Sequence, residues 1–420
     1  MVMGTDNRVV VLGIARMADA LGNSFLIVVL PLYIASATIT GDGFGLTESF
    51  ITGLVLALFG IASSVAQPIA GRLSDRAGRR RAFVIAGLLL LAASNFAFSL
   101  TGDYTGLLAV RVIQGIGGAL TITASIALVN ELSANENRGG NMGTYNSLRL
   151  IGFGAGPLAA GVVVAAGPYL LPIVGEVSGF DAAFYIATLS ALLSIALVSA
   201  FVHDPAETSP TSDELALAVR ARDDHVLDPV FTLGMATLFM SMCIALIAPI
   251  EAQLNTYLDQ GPTLFGIEFA ALIVTLSLVQ PLIGRVSDRY GRRVFIIIGL
   301  VLLVPTTVVQ GLVVAPWQMI IARLFQGASA AMVFAPALAL AGDLAKSGQS
   351  GAQLSMLTVA FGLGISFGQL ASGFLIRYGF VTPFVFGAAL AAIGVILVYT
   401  QVEETTASSQ IDDSSAPSTN

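Results

Sequence analysis

A small set of ionisable side chains interrupts otherwise apolar stretches of this 420-residue chain: Arg16 and Asp19, Arg111, Arg149, Glu251 and Glu268, with Arg323 repeating Arg111. A charge facing hydrocarbon is costly, so each marks a structural pair or a group that binds substrate or moves protons. Asp19 lies three residues after Arg16, on the same helical face. The two read as a structural pair or as a protonatable carboxylate beside a cation that tempers it, and the sequence leaves both readings open. Arg111 is expected to face inward, with a hydrogen-bonded strut as one reading. Arg149 reads equally as a contact for an anion and as a partner for Asp19 across the first bundle. Glu251 and Glu268 lie towards the outer ends of neighbouring segments, where they either snorkel to the interface or attract a cation or exchange protons.

No enzyme constellation accompanies these charges. His203 and His225 fall in one polar stretch, so no intramembrane His–carboxylate pair is available for metal binding or hydrolysis. No Gly-rich sequence ending in Gly-Lys and then Ser or Thr is present to cradle a nucleotide triphosphate. The chain reads as a non-enzyme without metal or cofactor, driven by an ion gradient. The lone Cys243 sits in an apolar run and reads as a small buried side chain.

The elements that position these groups follow from composition. Hydrophobic residues make up 55% and charged residues 11%, and the mean hydropathy of +0.86 is far from that of a soluble domain. Apolar runs of the roughly 20 residues that cross about 30 Å of hydrocarbon recur over 8–36, 47–71, 82–101, 104–131, 140–166, 180–202, 229–257, 264–284, 293–314, 316–345, 350–376 and 381–401. Period-2 alternation is absent, which favours helices over a membrane barrel. The first run has no cleavage signature and is too long for a signal-peptide core, so it reads as a retained helix. Most of the 19 Lys and Arg residues fall on one side of these spans. Both termini are therefore expected in the cytoplasm of a plasma-membrane protein.

The pattern also repeats. Gln67-Pro68 through Arg79-Arg80 recurs as Gln280-Pro281 through Arg292-Arg293, an offset of 213 residues, and Arg111-Val112-Ile113-Gln114-Gly115 recurs as Arg323-Leu324-Phe325-Gln326-Gly327, an offset of 212. Glu131 aligns with Asp343. Twelve spans in two parallel repeats imply two six-helix bundles with a substrate site between them. We read residues 1–202 as the first bundle, 203–228 as a cytoplasmic linker with a short amphipathic helix near its centre, 229–402 as the second bundle, and 403–420 as a disordered tail.

In the repeated cluster, Gly71 and Gly78 permit turns and close helix approach. Asp75 either pairs with the nearby arginines or sits at a neighbouring helix N-terminus, while Arg79, Arg80 and Arg81 suit anionic headgroups. Gly71, Asp75, Arg76, Gly78, Arg79 and Arg80, and again Gly284, Asp288, Arg289, Gly291, Arg292 and Arg293, match in full the loop signature of the major facilitator superfamily, which the chain resembles over about residues 8–401. Arg111, Gln114, Gly115 and Gly118 resemble its helix-four motif, and Arg138-Gly139 with Met142-Gly143 its loop before helix five. Gly152, Gly156, Pro157 and Gly161 resemble the helix-five motif of drug:proton antiporters. The resemblance implies an all-α fold of twelve transmembrane helices, a gate latch at the loop motifs and a proton-coupling role for Arg111.

The leading expectation is a secondary transporter that exports a hydrophobic or cationic small molecule against protons, with Asp19, Arg111 and Glu251 or Glu268 as coupling or substrate groups. The alternative is a symporter or uniporter importing a sugar, organic acid or other metabolite, and a remote one is a non-transporting membrane sensor. Expected partners are the small-molecule substrate, protons or another coupling ion, and membrane lipids. No nucleic acid is expected, and the chain is expected to function as a monomer.

Overall fold

The computed structural model describes residues 7–36, 39, 43, 45–133, 138–172, 175–204, 226–344 and 350–404. Among them, twelve helices are long and apolar enough to cross a membrane. The first six are α1 (Asn7–Ala35), α2 (Glu48–Ala77), α3 (Arg80–Phe98), α4 (Tyr104–Leu132), α5 (Arg138–Ala166) and α6 (Gly179–Phe201). A two-stranded antiparallel hairpin, β1 (Tyr169–Leu171) with β2 (Gly175–Val177), joins α5 to α6. Helix α7 runs over Pro229–Ala245 and resumes over Glu251–Tyr257 after a 3-10 turn at Ala248–Ile250. The break falls where Pro249 has no N–H to give the helix ladder. Then follow α8 (Pro262–Tyr290), α9 (Arg292–Gln310), α10 (Pro316–Asp343), α11 (Ser350–Leu375) and α12 (Thr382–Gln401).

The two halves pack alike. In the first, α1 lies on α5 and α6, α4 on α2 and α3, and α3 on α6; in the second, α7 lies on α11 and α12, α10 on α8 and α9, and α9 on α12. The halves meet through α2 with α11 and α5 with α8, which the repeat exchanges. Glycines set these crossings, because without a Cβ the backbones can touch. A Cβ at Gly53 would meet the Gln369 carbonyl at 2.6 Å, one at Gly373 would fall on the Ser49 carbonyl, and one at Gly266 would meet Pro157 at 2.5 Å.

Among the described residues, contact between the halves runs from one end to about mid-helix, where Gly362 approaches Ser64 and Phe153 meets Phe269. We call the end carrying Arg72–Arg81 and Arg285–Arg293 the basic face. Near the opposite face a single apolar cluster runs through both halves, joining Phe25, Leu30 and Val55 to Leu246, Ile250 and Phe265. Towards the basic face the core divides into one cluster around Leu12, Leu88 and Leu128 and another around Leu233, Leu300 and Leu340, against which Ile27 and Phe153 of the first half still pack. A Cβ at Gly140, Gly143 or Gly284 would meet nothing within 4 Å, although α5 and α8 interlock further along. The molecule is thus closed at the opposite face and split at the basic face.

Two of the expected spans end early. Helix α2 continues past 71 to Ala77, and α8 past 284 to Tyr290, because a charged sequence in water can remain helical after it leaves hydrocarbon. The repeated cluster is therefore mostly helix end. Its turn is Gly78, left-handed at φ 60°, whose N–H donates to the Ser74 carbonyl at 3.1 Å. The linker's expected helix and residues 405–420 of the expected tail lie outside the described residues.

Candidate functional site

The geometry repeated in both halves begins at the basic face. Arg80, only 1% exposed, ion-pairs with Asp75 and with Glu131 at 3.1 Å and donates to the Ser74 hydroxyl at 3.0 Å. In the second half Arg292 pairs with Asp288 at 2.9 Å and with Asp343. Asp75 thus takes the arginine reading. Arg80 is no headgroup anchor, and Arg81 is tied to the Ser199 carbonyl and, through its backbone N–H, to Asp204 at 2.7 Å. Arg72, Arg76 and Arg79 remain exposed, as do Asp288 and Arg289 in the other copy. Glu404 accepts from the N–H groups of Arg292 and Arg293 at 2.8 and 2.9 Å, as Asp204 does from that of Arg81.

Deeper in the first half, Asp19 is 4% exposed and ion-pairs with Arg16. Arg149 is not its partner. The Arg149 Nε donates instead to Asn146 Oδ1 at 3.0 Å, and its electrostatic neighbours are Arg16 and Tyr145. Spacing along α5 gives the reason: Gly152 and Gly156 draw α5 onto Met17, Leu21 and Ser24 of α1, so that Arg16 and Arg149 come side by side. Gly161 lies instead on Pro262 of α8, so the helix-five motif packs α5 against both α1 and the other half.

Arg111 faces inward as expected, 3% exposed. Its Nη1 donates to Gln114 Oε1 at 2.7 Å, Gln114 donates to Asn95 Oδ1 at 2.7 Å, and Asn95 donates to the Ala187 carbonyl at 3.1 Å. Phe59 and Phe98 flank the guanidinium, each ring centroid 5.8 Å away. Arg323 repeats this with Gln326 at 2.6 Å and the Phe269 ring at 5.7 Å, and Gln326 donates to the Cys243 carbonyl at 3.1 Å. Cys243 is itself buried, its thiol against the Gly387 carbonyl.

The two halves differ in what surrounds this arginine. Glu251 and Glu268 do not snorkel: both are 0% exposed, and none of their carboxylate oxygens meets hydrogen-bond geometry. They lie close enough to repel one another, with Asn255 beside Glu251, and Gln260 and Arg323 beside Glu268. The Arg323 Nε and Nη2 are likewise buried and unbonded. Glu268 is inward because it shares a face of α8 with buried Phe265 and Leu272, three before and four after it. The sequence reading missed Asn255 and Gln260: Asn255 follows Glu251 by four residues, a helical spacing that could have found it, whereas Gln260, in the turn before α8, carries no such signal. Among the described residues no cluster of three His, Cys, Asp or Glu side chains suits a metal ion.

A family model described as Major Facilitator Superfamily matches residues 12–239 and again 230–418. The chain belongs to that superfamily. Over 306 residues, 71% of each chain, it is 24% identical to Multidrug resistance protein MdtG of Salmonella arizonae. It is 25% identical over 189 residues to Quinolone resistance protein NorA of Staphylococcus aureus, covering 45% of this chain and 43% of NorA. Its fold superposes on the nucleoside transporter NupG with a TM-score of 0.74 at 14% identity, covering 94% of this chain and all of that one. With the human organic anion transporter MFSD10 the TM-score is 0.66 at 19% identity, covering 93% and 98%. These likenesses show the major facilitator fold in a multi-pass membrane protein.

Proposed function

We propose that this major facilitator protein exports amphipathic small molecules across the plasma membrane in exchange for protons, by alternating access with both termini cytoplasmic. One observation carries the reading: Glu251 and Glu268 are sealed in the second half without a bonded cation. Two adjacent carboxylates cannot both stay charged in such a place. At least one of them holds a proton while the opposite face is closed, and the pair exchanges it when that face opens to water. Arg323, beside Glu268, offers the charge that a departing proton leaves unbalanced. Similarity to MdtG and NorA, both named for drug resistance, supports export.

Import of an organic acid is the second reading, favoured by Arg149, whose electrostatic neighbours among the described residues are another arginine and a tyrosine. Direction separates the two. Proteoliposomes holding a pH-sensitive dye, given an imposed proton gradient and a panel of a lipophilic cation, a quinolone, a sugar and an organic acid, report it. Protons moving opposite to the carried compound support export by antiport; protons moving with it support import.

A further inference from the structure

The four intramembrane arginines are not equivalent. Arg111 and Arg323 carry sealed nitrogens with no partner, and Arg16 is committed to Asp19. Arg149 alone bonds only through Nε, to Asn146, and its two Nη groups are neither bonded nor sealed from solvent. They therefore face accessible space. Arg16, Asp19 and Arg149 together leave one positive charge in excess, half-buried in the first bundle, with Arg16 adding to the field at Arg149.

The position is that of a substrate contact. Arg149 lies one helical turn on the basic-face side of Phe153, whose ring meets Phe269 of the second half at a centroid distance of 6.1 Å. That aromatic contact joins the halves, and Gly143, six residues before Arg149 towards the basic face, faces open space. Met17, Leu21 and Phe153, all partly exposed, supply apolar walls.

We propose that Arg149 docks the carboxylate of an amphipathic organic acid, the two free Nη groups donating in parallel to its two oxygens while the apolar body lies against Phe153 and α1. A planar guanidinium held at Nε by Asn146 is already aimed for such a bidentate pair. The anion also neutralises the excess charge of the cluster. The inference rests on the chain being a transporter whose path is the split at the basic face. It does not rest on proton coupling or on direction, so it survives if antiport fails.

The test is equilibrium binding to the full chain in lipid nanodiscs, without a proton gradient, using tritiated naphthoate, its methyl ester and naphthylmethylammonium. Wild type is expected to bind the acid at least about tenfold more tightly than the ester or the amine. Arg149→Gln is expected to lose that preference while binding the ester unchanged, which shows its cleft intact, and Arg149→Lys to keep part of it. Equal binding of acid and ester by wild type, absence of saturable naphthoate binding, or undiminished acid binding by Arg149→Gln would each overturn the proposal. Should Arg149→Gln not fold, the wild-type ratio and the Lys variant decide it.

Discussion

Arg292 holds in the second half the ion pairs that Arg80 holds in the first. Each starts the third helix of its half and joins a carboxylate at the end of the preceding helix, Asp75 or Asp288, to one at the end of the following helix, Glu131 or Asp343. The difference is exposure. Arg80 is buried, whereas the side chains of Asp288 and Asp343 are 54% and 43% exposed.

That difference predicts unequal costs. Arg80→Ala removes the buried cation shared by Asp75 and Glu131 and should cost about 3–5 kcal/mol. Arg292→Ala loses exposed pairs worth about 1 kcal/mol or less. Thermal unfolding in nanodiscs should show a clearly larger drop in melting temperature for Arg80→Ala, and equal drops would contradict the assignment.

The α1–α5 crossing depends on Gly152 and Gly156, where an added Cβ would fall on the Met17 carbonyl and on the Ser24 hydroxyl. Gly152→Ala should therefore destabilise by about 1–3 kcal/mol through overpacking. Gly143→Ala, on the same helix but facing open space, should be neutral or stabilising by up to about 1 kcal/mol. Melting temperatures of the two variants check the contrast.

Closure at the opposite face brings Gln253 of α7 to Ser49 of α2, with Gln253 Nε2 donating at 2.7 Å. In a Cys243→Ala background, Ser49→Cys with Gln253→Cys should be bridged by a short reducible bis-thiosulfonate, and transport should stop until reductant is added. Continued transport by the bridged protein would mean that this face need not open.

Much of this architecture was legible in the sequence, because twelve apolar runs and a doubled charged cluster leave few alternatives. What hydropathy reports is depth along a helix, and it fails where direction around the helix matters. Glu251 and Glu268 lie near helix ends, so snorkelling was an open reading; only packing shows that both turn inward. The same limit hid the choice of Arg16 over Arg149 as the partner of Asp19. The change of offset from 213 to 212 was visible, but not its place: the structure puts the extra residue at Arg79, since α3 begins at Arg80 and α9 at Arg292. Loop signatures align on glycine, while ion pairs align on helix starts.

In the proposed exchange, protons move through the Glu251–Glu268 pair. The most direct measurement compares wild type with Glu251→Gln/Glu268→Gln in proteoliposomes, using the best-carried compound of the transport panel and recording both gradient-driven transport and exchange at equal pH. The double variant is expected to keep substrate exchange, showing that it folds and alternates, but to lose proton movement and uphill transport. Proton-coupled transport at the wild-type stoichiometry in that variant would contradict it.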